Sequence, residues 1–241
     1  MQAVNEVNKM KFICIIPARG GSKGIINKNI IDIEGHPLIY YTINAAIKSN
    51  IFDRVVVTTD SIKIGDISKK CGAEVPFIRP EYLATDDSRV DDSMVHALKY
   101  IEEYDKRYEY VCLIQPTSPL IDFEDIINVK KLLLEKEADM IVSVGESPIN
   151  IRWARSLPED LSMKNFSSGI CGTNRQCFKN IYYLNGAIYL GKWNIFYEKK
   201  DYYQQNTFAY IMPYKKSIDI DNEFDLKLVR YLMKEKNNEI L

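Results

Sequence analysis

Apolar residues come in short solid runs that alternate with longer stretches in which they recur every three or four positions. "FICII" from Phe12, "RVVVTT" from Arg54, "YVCLI" from Tyr110 and "DMIVSV" from Asp139 are apolar almost throughout, the mark of strands covered on both faces. Between them, Pro37 to Ser49 sets Ile39, Ile43, Ala46 and Ile47 on one helical stripe. "SIKIGDISKK" reads as a second helix closed by Gly72, Asp91 to Tyr104 as a third and Glu124 to Lys136 as a fourth. "AEVPFI" from Ala73 is expected to add a short strand. Solid strands separated by helices predict an α/β fold, a mostly parallel sheet with helices on both faces. From about Glu146 to Tyr182 the rhythm breaks into polar, arginine-containing sequence such as "NIRWARSLPED" and "TNRQCFKN". That stretch is too long for an ordinary connection, so residues 146–182 read as an arm inserted into a single domain over residues 10–241. Regular patterning returns with "YLNGAIYL", "FAYIMPY", "SIDID" and an amphipathic helix from Asn222 to about Lys234.

Composition narrows the picture further. The chain has 241 residues, 46% of them hydrophobic, which suffices for a substantial core. Its net charge of -1 removes an overall basic field, so no nucleic-acid partner is expected and any anion specificity must be local. Five cysteines (Cys14, Cys71, Cys112, Cys171, Cys177), an odd number without a CxxC pair, read as buried thiols in a reducing cytoplasm. The N-terminal "MQAVNEVNKMKF" has no apolar signal core and no run approaches bilayer length, so no membrane association is expected. Residues 1–9 read as a loose prefix.

In parallel sheets, ligands collect beyond the carboxyl ends of the strands. The unusual polar sequences fall there: "PARGGSKG" after the first strand, Thr59-Asp60 after the second and "QPTSPL" from Gln115 later. "IPARGGSKGIINKN" concentrates Gly20, Gly21 and Gly24 with Arg19, Lys23 and Lys28, a combination suited to a polyphosphate. It is neither a Walker A loop nor a GxGxxG fingerprint. The competing reading is a glycine-rich turn with solvated lysines. "SIDID" raises a second question. An extended backbone would put Ser217, Asp219 and Asp221 on one side and Ile218 and Ile220 on the other, leaving two like charges that call for a nearby cation. Alternatively, Asp221 caps the final helix and Asp219 is solvated.

Seven blocks, "IIPARGGSKGIINKNI", "PLIYYTINAAIKS", "FDRVVVTTD", "GAEVPFIRPEYLATD", "LIQPTSPL", "NGAIYL" and "SIDID", resemble in this order the acylneuraminate cytidylyltransferase family, which includes legionaminic acid cytidylyltransferases. The resemblance runs from about Met10 to the last residues. It implies a Rossmann-like nucleotidyltransferase fold with a dimerisation arm, a homodimer, and transfer of CMP from CTP to the anomeric hydroxyl of a nine-carbon acidic sugar with Mg²⁺ and release of pyrophosphate. Carried over by position, Ala18, Arg19, Gly20, Gly21 and Ser22 match the triphosphate segment, and Lys28 and Asn29 a pair beside the phosphates. Arg79 and Ser88 match residues near the cytosine, and Gln115, Arg175, Asn185 and Tyr189 residues that contact the sugar. Asp219 and Asp221 match the Mg²⁺ ligands. Catalytic roles are thereby implied for Arg19, Lys28, Asp219 and Asp221. The general base stays unassigned, since His36 and His96 read as structural. "KGIINKN" departs from the "KGIPRKN" of many relatives, and Tyr183 stands where some have arginine. The acceptor is accordingly an N-acylneuraminate or legionaminic acid, with pseudaminic acid or Kdo as alternatives. A non-catalytic nucleotide-binding protein is the reading from another class.

Overall fold

The computed structural model describes residues 10–22, 24–149, 151, 154–164, 166, 180–199 and 201–238. The prefix 1–9, Lys23, Cys171, Arg175, Cys177 and much of the expected arm lie outside the described residues. The described residues include eight strands: β1 (Phe12–Pro17), β2 (Asp32–Ile33), β3 (His36–Pro37), β4 (Arg54–Thr58), β5 (Tyr110–Ile114), β6 (Met140–Glu146), β7 (Tyr182–Lys192) and β8 (Thr207–Met212). Six form one sheet in the order β4-β1-β5-β7-β6-β8, and β2 and β3 form a small hairpin. β1 pairs in parallel with β4 and β5, and β6 in parallel with β8. β7 alone runs antiparallel to both its neighbours, β5 and β6. The chain leaves β6 into the stretch read as an arm and re-enters the sheet beside the strand it left. Antiparallel neighbours need no helical crossover.

Side chains alternate along β1 and sort the helices into two layers. Cys14 and Ile16 point to the face covered by α1 (Leu38–Lys48), α2 (Ile62–Lys70) and α4 (Phe123–Glu135), where Ile39, Ile43, Ile126 and Val129 pack on them. Ile13 and Ile15 point to the other face, against Met94 and Leu98 of α3 (Val90–Tyr104) and Phe196 of α5 (Trp193–Tyr197). Each such buried aliphatic side chain contributes about 1.5–3 kcal/mol over an exposed one. The last helix, α6 (Glu223–Asn238), docks Leu226 and Val229 onto Ile25, Ile33 and Ile220. The end of the chain thereby lies against the loop that follows its first strand.

Four sequence expectations change. "AEVPFI" is not a strand; it makes one parallel bridge, Glu74 to Val56, and Pro76 has no amide to continue it. Ile47 is 43% exposed and lies against Gly72, off the buried stripe. "SIDID" is not an extended strand, because Tyr214–Ser217 is a 3-10 turn and residues 218–221 belong to no strand. The cap of α6 is Asn222 rather than Asp221: its side-chain oxygen accepts from the Phe224 and Asp225 amides, while Asp225 accepts from the Asn222 amide.

Candidate active site

A cleft of about 500 Å³ opens at the carboxyl ends of β1 and β5. The loop from Ala18 to the 3-10 turn Lys28–Ile30 forms one wall, and its glycines are there for close approach. None of Gly20, Gly21 and Gly24 has a positive φ; Asn27 supplies the left-handed residue at φ 55. A Cβ on Gly24 would clash with the Asp221 carbonyl oxygen, well inside van der Waals contact, and one on Gly20 would lie 3.2 Å from Ser61 Cβ. Around Gly21 there is open space. Among the described residues of the loop, Ala18 donates its amide to the Thr58 carbonyl, Gly20 to the Asp60 carboxylate, Ser22 to the Gly20 carbonyl and Lys28 to the Ile25 carbonyl, so an anion must find its backbone donors among the other amides.

The cations expected from the sequence converge here. Arg19 reaches across the cleft mouth, donating to the Thr85 carbonyl at 3.0 Å and pairing with Asp86 at 3.1 Å. Lys28 Nζ donates to the Ile220 carbonyl at 2.7 Å and lies 3.3 Å from Asp221. Asn29 is buried, ties the loop shut by donating to the Arg19 carbonyl, and leaves its Oδ1 without a partner. Arg79 is 4% exposed and forms part of the floor, held by the Ser93 hydroxyl at 2.7 Å and by Asp60 at 3.5 Å. Burial lowers its affinity for the proton and the Asp60 charge restores part of it. Ser88 also lines the cleft, its hydroxyl donating to the Tyr82 carbonyl.

Asp219 and Asp221 line the same cavity, Asp221 directly beside Gly24 and Lys28 of the loop. The Ile220 amide donates to the Thr117 carbonyl at 2.9 Å, which fixes the segment between them. Asp219 Oδ1 is buried without a hydrogen-bond partner. Burial pushes the Asp219 carboxyl up from its usual range, a hydrogen bond from Thr117 opposes that, and the charge of Asp221 adds to it. A buried carboxylate oxygen lacking a donor, next to a second carboxylate, fits a hard divalent cation that takes one or two carboxylates and fills its remaining positions from water or phosphate. No cluster of three or more His, Cys, Asp or Glu ligands occurs among the described residues. The site therefore suits a cation that a ligand helps to hold.

A second cleft of about 510 Å³ adjoins the first, and Val90 and Gln115 line both. Tyr189 stands in it with Arg89, Asp91, Lys199, Tyr202 and Tyr203. The Tyr202 hydroxyl donates to Asp91 at 2.9 Å, Arg89 pairs with Asp91 at 3.0 Å, and Lys199 pairs with Asp92. Burial, with the Tyr203 hydroxyl beside it, pushes the Tyr189 phenol up to about 12, so it is a neutral donor. Asn185 is placed elsewhere. It is buried between β6 and the 3-10 turn, bonded to Ser143 and Ser217, and lines neither cleft; its neighbour Gly186 is the one at the wall. Neither histidine lines a cleft. His36 stacks on Tyr40, and His96 packs edge-on to Phe77 with its basicity lowered by burial. Asp60 was legible in the sequence only as part of the polar pair Thr59-Asp60 at a strand end, whereas Arg89, Lys199, Tyr202 and Tyr203 share no sequence motif.

Comparison with known proteins adds independent findings. A family model described as cytidylyltransferase matches residues 13–239. The chain is 37% identical over 233 residues to the N-acylneuraminate cytidylyltransferase of Escherichia coli O18:K1:H7, covering 96% of this chain and 54% of that one. It is 36% identical to the CMP-N,N'-diacetyllegionaminic acid synthase of Legionella pneumophila, covering 96% and 100%, and 30% identical to a pseudaminic acid cytidylyltransferase of Campylobacter jejuni, covering 93% and 97%. It thus spans about half the length of the Escherichia coli relative and nearly all of the other two. Among solved structures, CMP:2-keto-3-deoxy-manno-octonic acid synthetase complexed with CTP superposes with a TM-score of 0.68 at 17% identity, covering 94% of this chain and 99% of that one. The 4-diphosphocytidyl-2C-methyl-D-erythritol synthase of Anaerococcus prevotii superposes with a TM-score of 0.65 at 13% identity, covering 94% and 100%. At those identities the likeness is one of fold.

Proposed function

The chain belongs to the cytidylyltransferase family, and from that premise we propose that it transfers CMP from CTP to the anomeric hydroxyl of a nonulosonic acid and releases pyrophosphate. One observation carries the proposal: a single cleft brings Arg19 and Lys28 from the first loop to within reach of two carboxylates from the far end of the chain. Cations and carboxylates brought together in one cleft suit a triphosphate that arrives with a metal. The same observation speaks against a non-catalytic reading, which would not need the paired charges.

In this reading the loop from Ala18 to Asn29 seats the triphosphate, with Arg19 exchanging its contacts to Asp86 and Thr85 for phosphate oxygens. Lys28, already held by the Ile220 carbonyl, presents its charge where negative charge grows on the leaving pyrophosphate. Arg79 and Ser88 border the base end, with Arg79 acting from the floor. Asp219 and Asp221 would hold Mg²⁺, which supplies charge neutralisation at the reacting phosphoryl group. The second cleft receives the acid sugar. Gln115, lining both clefts, orients it toward the nucleotide, the neutral Tyr189 hydroxyl donates to it, and Arg89 and Lys199 provide cations for its carboxylate. Asn185 supports that wall by fixing β7 through Ser143 and Ser217. The relatives are named for neuraminate, legionaminate and pseudaminate. An N-acylneuraminate or legionaminic acid is the acceptor proposed for this chain, with Arg175 a further contact from the arm.

Exposed Tyr182, Leu184, Ile211 and Tyr214 cluster where β6, β7 and β8 meet the base of the arm, an apolar surface suited to a second copy. We therefore propose a homodimer. Incubation with CTP and a panel of N-acetylneuraminic, legionaminic, pseudaminic and Kdo acids, read by CMP-sugar and pyrophosphate release, tests the reaction. Equal use of ATP or GTP, or no product with any acid, defeats it; a monomer by light scattering at micromolar concentration defeats the dimer.

A further inference from the structure

Asp60 does not line the cleft, yet it touches both of its sides. The carboxyl end of β4 is a junction. The Thr58 carbonyl accepts from Ala18 at the start of the phosphate loop, and the Thr59 carbonyl accepts from the Arg79 amide at 2.7 Å. Between these backbone ties, a single oxygen of Asp60, Oδ1, accepts from the Gly20 amide at 3.0 Å and lies 3.5 Å from the Arg79 guanidinium. We infer that Asp60 is a positioning residue that fixes the phosphate-binding loop relative to the base-side arginine, so that the two ends of the nucleotide are recognised at a set separation. This rests on the nucleotide reading given above.

Three observations support it. The Arg79 side chain is 3% exposed, and among the described residues the carboxylate that pairs with it is Asp60. Losing that charge would leave a buried guanidinium without compensation. A Cβ on Gly20 would come within 3.3 Å of Asp60 Oδ2 and 3.2 Å of Ser61 Cβ, so the loop rests directly on this residue. The far amino group of Arg79 is held by Ser93 of α3, so it cannot follow the loop if the Asp60 contact breaks. Asparagine at position 60 could still accept from Gly20 but would offer Arg79 no charge; the role needs the carboxylate.

The test is the kinetics of Asp60→Asn, Arg79→Gln, their double variant and Gly20→Ala, with CTP and the acid sugar varied separately. Asp60→Asn is expected to raise the CTP KM about tenfold while the sugar KM stays within about twofold. The double variant is expected to be no worse than Arg79→Gln alone, since one joint is broken in both. Gly20→Ala crowds the same joint from the loop side without unpairing a buried charge, so it should raise the CTP KM several-fold even if Asp60→Asn folds poorly. A merely structural role would lower kcat through loss of active protein and leave KM unchanged. An unchanged CTP KM in both Asp60→Asn and Gly20→Ala, or additive losses in the double variant, overturns the inference and leaves the nucleotide reading standing. A wild-type protein that shows no CTP binding by calorimetry overturns both.

Discussion

The two adjoining clefts are close in volume but opposite in construction. In the first, most of the functional groups are pinned, with Arg79 and Asn29 buried, Lys28 held by a main-chain carbonyl and Asp219 keeping an unpartnered oxygen inside the protein, while Asp221 and Arg19 reach toward solvent. In the second, they stand at the rim. The Arg89 side chain is 79% exposed, Lys199 is half exposed, and Tyr203 is more than half exposed. Groups built into the core cannot be exchanged without rebuilding the walls, whereas rim side chains can change with little cost to the fold. A chain so built keeps its nucleotide while its acceptor is free to drift, which agrees with relatives of similar identity being named for three different sugars.

The sharpest way to break this contrast is at the carboxylates. Asp219→Asn and Asp221→Asn should each lower turnover by ~100-fold or more with the fold intact; near wild-type rates in both would end the metal assignment. Asp219 carries a second signature. Its folded carboxyl is raised above the unfolded value, so its favourable contribution is present at acid pH and lost as pH rises through the folded value. At neutral pH in chelator, Asp219→Asn should therefore melt higher than wild type, and the gap should close toward pH 4. A lower melting temperature throughout would mean the carboxylate is structural.

Gly24→Ala tests the contact between the two ends of the chain. Its Cβ has no room beside the Asp221 carbonyl, so loop and carboxylates must separate. A loss of roughly tenfold to 100-fold in kcat/KM for CTP is expected, because small misplacements at reacting groups are costly. Retention of full activity would show the loop to be more yielding than the first cleft requires. Arg89→Ala probes the second cleft and should raise the sugar KM by about three- to tenfold with the CTP KM unchanged. A change in CTP KM instead would dissolve the division between the clefts. The smallest effect belongs to Asn222→Ala, which removes the cap of α6. It should cost about 1 kcal/mol, or roughly 2–4 °C of melting temperature, and leave both KM values alone.

Much of this was legible from local pattern. The solid strands, the helices between them and the cation-bearing glycine loop depend on neighbours in sequence, and "IPARGGSKGIINKN" and "SIDID" do meet in one cleft. What misled was also local. Alternation in "SIDID" suggested a strand, but Ser217 ends a 3-10 turn and the carboxylates are aligned by Thr117 and Lys28 from distant segments. Gly20 and Gly24 have no positive φ and are needed for what they touch, which no reading of the loop alone reveals. Asn185 looked like a ligand contact and is instead bonded inside the sheet. The second cleft was legible only through Gln115 and Tyr189; Arg89, Lys199 and Tyr202 share no motif with them, because they meet only once α3, β7 and the segment after α5 are packed together.

The contact between Lys28 and Ile220 spans 192 residues, and the Arg230 side chain donates to the Asp32 carbonyl across 198. That separation has a consequence for synthesis. While the chain emerges from the ribosome, the phosphate loop is made well before its carboxylate counterpart. Strands β4 to β7 are all made in the interval, but a domain generally folds as a unit, so the sheet and the loop wait on the later segment. A chain interrupted before Asp219 would own the whole anion-binding loop without the carboxylates that share its cleft. The protein acquires its complete charge arrangement only as its final helix docks.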